Sequence, residues 1–156
     1  MSSVRLSGEA QEVALAEAQA VRAMASDDGY RERLAALVGA ATEGEVAEED
    51  AATLEELLEL GLQSGRIRAL YGPGGEQAAL TVYRKLPRGS ELVQSAREVT
   101  DALRALEGRE LSSIELRAVG PGTFSLSLGA GELELSLRLD RQGAGKHPGS
   151  LPVEAR

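Results

Sequence analysis

The sequence predicts an α+β fold: N-terminal helices, then a ββ-α-βββ order forming a largely antiparallel sheet with one face covered by helix. Apolar residues recur at helical spacing up to Gly65, alternate with polar ones over much of the chain beyond it, and are punctuated there by Gly/Pro clusters.

Ser7 can cap a first helix running to Ala25, with Val13, Ala16, Ala20, Val21 and Met24 on a stripe of mostly small side chains. So weak a stripe allows residues 1–41 to stand as a peripheral helical segment ahead of an α+β core over 42–141. A second helix, Tyr30 to Ala41, carries Tyr30, Leu34, Leu37, Val38 and Ala41 at helical spacing. Asp50 can cap a third running to Gln63, with Leu54, Leu57, Leu58 and Leu62 inward and Gly65 as the stop.

Beyond Gly65, the segments Arg66 to Tyr71 and Gln77 to Leu86 flank Gly72-Pro73-Gly74-Gly75. That pattern predicts a hairpin with Ile67, Ala69, Tyr71, Ala78, Leu80 and Val82 on one face. Ser90 then caps a fourth helix marked by Leu92, Ala96, Val99, Leu103 and Leu106, ending at Gly108. Ser113 to Val119, Phe124 to Leu128 and Glu132 to Leu139 complete a meander in which leucines alternate with Ser, Glu and Arg. Its dry face needs a cover, and the Leu92 to Leu106 helix is the expected one. Residues 142–156, with three glycines and two prolines, read as a flexible tail.

At 156 residues, 42% hydrophobic and 27% charged, the chain has the composition of a folded domain. Aromatics are confined to Tyr30, Tyr71, Tyr83 and Phe124, so the core rests on Leu, Val and Ala and is thin enough for a partner or a second copy to complete. The absence of cysteine excludes disulfides, thiolate nucleophiles and zinc-thiolate sites, and fits a cytoplasmic setting. Arginine far outnumbers lysine, present only as Lys85 and Lys146, which with abundant Ala and Gly is the usage of a GC-rich bacterial genome.

A net charge of -8 opposes general nucleic-acid binding, and no apolar run has signal-peptide or membrane-span length. Charge is uneven: residues 1–65 hold 4 basic and 14 acidic side chains, residues 66–88 hold 5 and 1, and residues 89–156 hold 8 and 10.

Candidate chemistry is sparse. His147 is the sole histidine and lies in the Gly/Pro tail, where nothing holds its ring against a nucleophile. Glu55 and Glu59 stand at i, i+4 with Glu56 adjacent, opposite the leucine stripe, and are expected on a solvated face. Gly72 to Gly75 precedes a strand-like segment rather than a helix, and Gly145-Lys146 lacks the Ser/Thr and the first glycine of a phosphate loop. No catalytic residue, cofactor or metal is therefore expected.

The basic hairpin is the feature that points to a partner. Its wet face would carry Arg66, Arg68, Thr81, Tyr83 and Lys85, with Arg84 and Arg88 near the end, and tyrosine among arginines suits a protein contact. The same arginines could instead pair across the sheet with Glu115, Glu132 or Glu134. Pro148 to Val153 could dock as a short apolar peptide or remain a loose chain end. The expectation is a non-enzymatic protein-binding or adaptor module that binds another protein or itself. The alternative is a small-ligand domain with an apolar pocket between sheet and helix, with Tyr71 and Phe124 in its wall.

Overall fold

Four helices pack around buried leucines and smaller apolar residues in the first part of the chain. The computed structural model describes residues 3–140 and 153–155, and the chain divides into two units, residues 1–90 and 91–156. In the first unit α1 (Gly8–Met24) lies against α2 (Asp28–Glu43), α3 (Glu48–Gln63) and α4 (Arg66–Tyr83), and α3 also packs on α2 and α4. Short strands β1 (Val4–Arg5) and β2 (Glu45–Val46) pair antiparallel, Val4 opposite Val46. The 41/42 boundary read from sequence thus falls inside the helical unit, and α1 is part of its packing.

Local chemistry explains these helices. Asp27 caps α2 by accepting from the Tyr30 N–H at 2.6 Å, and Gly44, at φ 77, closes it in the left-handed conformation that glycine tolerates. Gln11 of α1 donates to the Ala41 and Thr42 carbonyls at 2.9 and 3.1 Å, satisfying the same helix end. Ser7 occupies the α1 N-cap position without a side-chain bond, and α3 begins at Glu48, earlier than Asp50, with Glu48, Glu49 and Asp50 in its first turn where the macrodipole favours anions. The α1 stripe is rotated from expectation: Val13, Ala14, Glu17 and Ala18 are buried, whereas Ala20 and Met24 are exposed.

The predicted hairpin is helix. Ile67, Gly75, Ala79, Val82 and Tyr83 are buried, a series that with half-buried Tyr71 steps by four residues, while Ala69 is exposed. The Gly/Pro cluster kinks this helix instead of reversing the chain. Gly72, at φ 71, ends one helical stretch and Pro73 opens the next, where its missing N–H costs nothing. The change from helix to sheet therefore comes near residue 113 rather than at Gly65, which serves as the left-handed turn between α3 and α4.

α5 (Pro87–Leu103) starts a turn before the expected Ser90, runs into a 3-10 turn at Arg104–Leu106, and stops ahead of Gly108 at φ 72. Its first turn belongs to the helical unit and the remainder to the second.

That second unit holds the predicted meander of β3 (Ser113–Gly120), β4 (Thr123–Ala130) and β5 (Leu133–Asp140), all antiparallel. Gly122 at φ 70 and Gly131 at φ 64 allow the two-residue turns. β6 (Val153–Ala155), inside the segment read as tail, pairs with β5, Val153 opposite Leu137. Register places Ile114, Leu128 and Leu135 in one rung and Leu116, Leu126 and Leu137 in the next, so the expected dry face exists. The expected cover is incomplete: Leu135 and Leu137 are buried, but Ile114 and Leu116 stand open, and α5 does not run closely along any strand among the described residues. Amphipathic spacing shows that α5 has an apolar stripe without specifying what receives it.

Close helix approach in the first unit depends on Gly61 of α3, where an added Cβ would come within 2.7 Å of Ile67 and 3.2 Å of a Glu17 carboxylate oxygen. Gly61→Ala is expected to lower stability by about 1–3 kcal/mol through overpacking, read as a fall in the urea midpoint with unchanged m-value.

Candidate functional site

Two carboxylates are buried in the helical unit, and donors converge on each. Glu17 of α1 is fully buried; it accepts from the Arg66 guanidinium at the start of α4 and from the Tyr71 hydroxyl at 3.1 Å. Burial, reinforced by the Glu17 charge and hydrogen bond, raises the Tyr71 hydroxyl above its ordinary pKa. Arg66 Nε has no hydrogen-bond partner among the described atoms. The carboxylate meets one donor at each oxygen and, fully buried, has no reach to solvent.

Glu55, expected on a solvated face, is also buried. Its Oε1 accepts from the Arg88 N–H at 2.5 Å and the Gly89 N–H at 3.3 Å, so a side chain of α3 caps the first turn of α5. This explains why α5 starts at Pro87. Glu59, one turn further along α3, takes the Arg88 guanidinium at 2.8 Å. Tyr83 lies buried nearby; burial first, then the charges of Glu59 and Glu55, push its hydroxyl up to about 12.

The five residues expected to form a contact patch all lie on the helical unit, not on a sheet. Arg66 meets Glu17, Arg68 bonds Glu76 across the Gly72 kink at 2.9 Å, Tyr83 is buried, Lys85 is exposed in the α4–α5 turn, and Arg88 meets Glu59. The alternative pairing with Glu115, Glu132 or Glu134 presupposed a hairpin in the sheet, and the segment is helix. Tyr71 and Phe124, the expected pocket walls, belong to different units. An open groove of about 600 Å³ between α1 and α2 is instead lined by Gln19, Arg22, Ala23, Asp28, Arg31, Glu32 and Ala35. Among the described residues no group of His, Cys, Asp or Glu could hold a metal, and no helix is long and apolar enough to cross a membrane. His147, Gly145-Lys146 and Pro148 to Pro152 lie outside the described residues.

The remaining candidate is the sheet. On its dry face Ile114 is 66% exposed, Leu116 61%, Phe124 42% and Leu139 38%, with half-buried Leu126 and Leu128 between them. The opposite face carries Glu115, Arg117, Ser125, Ser127, Glu134, Ser136 and Arg138. A group of exposed large apolar side chains on one face of a sheet is a surface feature that marks a binding site. Sequence reading found this face and missed its exposure, since alternation reports which residues share a side and nothing about what lies over them.

No family model, curated protein or solved structure matches the chain.

The buried carboxylates and their tyrosine neighbour lead to two expected outcomes. Glu55→Ala strands two backbone donors and should lose about 2–3 kcal/mol in urea unfolding, whereas Glu59→Ala, which frees only a half-exposed arginine, should lose at most about 1 kcal/mol. In the unfolded chain Tyr83 titrates near its ordinary value of about 10, and in the folded protein near 12. The unfolded state therefore binds fewer protons at alkaline pH, so this contribution to stability is complete below pH 10 and is lost as pH rises through 12. Tyr83→Phe should flatten that part of the stability profile between pH 10 and 12, as followed by urea unfolding at each pH.

Proposed function

We propose that this chain is a protein-binding module whose contact surface is the dry face of the second unit's sheet. The supporting observation is the set of large apolar side chains, Ile114, Leu116, Phe124 and Leu139, bare on one face of one sheet. The cysteine-free sequence suits a bacterial cytoplasm. Of the basic residues in the 66–88 segment, Arg66, Arg68 and Arg88 have acidic partners within the helical unit.

Magnitude limits how such a face binds. Covering a fully exposed Leu, Ile or Phe side chain is worth roughly 1.5–3 kcal/mol, so four that are about half exposed supply on the order of 5 kcal/mol together. Association costs about 4–15 kcal/mol in lost freedom. Apolar cover alone therefore gives weak binding, and a stable complex needs additional backbone or charged contacts.

Substituting Ile114→Glu and Leu116→Glu together tests the reading. The exposed positions predict little change in thermal midpoint, reduced fluorescence of an apolar dye, and loss of any chain cross-linked to the wild-type sheet, a second copy included. Undiminished cross-linking, or collapse of the fold as though these residues were core, would refute it.

A further inference from the structure

We infer that β3 is the edge through which two copies of this chain pair, antiparallel, about a two-fold axis at Leu116. This presupposes the sheet as the contact surface and names its partner.

Among the described residues β3 has a strand neighbour, β4, on one side only. Its other rim presents the row of backbone N–H and C=O groups that templates an added strand. Between Ser113 and Ala118 the edge holds no proline, no glycine and no charge on the dry face; its two charges, Glu115 and Arg117, lie on the wet face with opposite signs, and the register shift falls beyond, between Ala118 and Gly120. Exposure of the dry face is also greatest on this strand, at Ile114 and Leu116.

Alternation and charge select the register. A pairing that keeps both dry faces on one side must set the axis on a residue, because an axis between residues places each apolar side chain opposite a polar one. With the axis at Glu115, that carboxylate meets its own copy, and with the axis at Arg117 two guanidiniums meet. With the axis at Leu116, Glu115 of each copy lies opposite Arg117 of the other, Ile114 opposite Ala118, and Leu116 opposite itself. Axes nearer either end shorten the overlap and leave a charge unopposed. Within one copy Arg117 Nε is 2.8 Å from Glu115 Oε1, and both side chains are more than half exposed. Two such pairs side by side make four alternating charges on the wet face, while the dry faces join into one. The pairing adds the backbone and charged contacts that apolar cover lacks.

Sedimentation equilibrium of the full chain tests this. The wild-type mass should rise with concentration from 16.4 kDa toward twice that value. Glu115→Arg and Arg117→Glu each place like charges opposite at both symmetric positions, so each alone should raise the dimer dissociation constant at least about tenfold. An equimolar mixture of the two restores Arg opposite Glu at every position and should recover the wild-type mass, as should the double variant E115R/R117E. Circular dichroism of each variant should match the wild type. A wild type that stays at single-chain mass throughout, or a dimer indifferent to both single substitutions, overturns the pairing. Either result leaves the broader reading to the Ile114→Glu and Leu116→Glu cross-linking experiment, because another protein seated on the dry face has no need of the Glu115 and Arg117 register.

Discussion

The helical unit is organised around carboxylates that have almost no access to water. A buried carboxylate is costly unless donors pair with it, and at Glu17 and Glu55 those donors come from helices other than the one carrying the acid. For Glu17 this requires Arg66 and Tyr71, five residues apart on α4, to reach one point, which fixes how α4 is rotated on α1. For Glu55 it requires the first turn of α5 to begin against the side of α3. Gly61 and Gly75 then leave room for neighbouring side chains, Ile67 and Glu17 at the first and Tyr71 and Val13 at the second. Apolar packing supplies cohesion, and each of the two acids ties its own helix to another through directional bonds.

The second unit solves the opposite problem. Among the described residues its sheet buries no charged group, and its order comes from alternation: rungs such as Leu116, Leu126 and Leu137 on one side, Arg117, Ser125 and Arg138 on the other. Apolar surface is in excess there. Leu135 and Leu137 are covered, and the surplus lies toward β3, where the strand order ends. A chain with four aromatic residues has few bulky side chains with which to roof its own sheet.

Sequence patterns revealed those parts of the molecule that repeat over a long enough window. The second and third helices, the meander, its turns and its two faces were all readable because each spans several periods of 3.6 or 2. The segment after Gly65 was not. Ile67, Ala69 and Tyr71 fit alternation over five residues, and Gly72-Pro73 looks like a turn, although a glycine that ends one helical stretch and a proline that starts the next leave the same signature. The contact patch was placed on that hairpin, and its residues lie on helix instead. Glu55 was misplaced because a charged residue at the margin of a leucine stripe is normally solvated, and only the arrival of α5 in space turns that margin inward. The signal available was Pro87, whose position suits the first turn of a helix and called for a cap from somewhere other than Ser90.

The neighbouring charges on β3 also bear on aggregation. Strands with open rims and oily faces are prone to stack in parallel, in-register fibrils, where every residue lies over its own copy. In such a stack each Glu115 would sit on another Glu115 and each Arg117 on another Arg117, an unfavourable column of like charge repeated at every layer. Two adjacent side chains of opposite sign thus discourage indefinite growth of the strand edge while leaving a closed, two-membered assembly open to it.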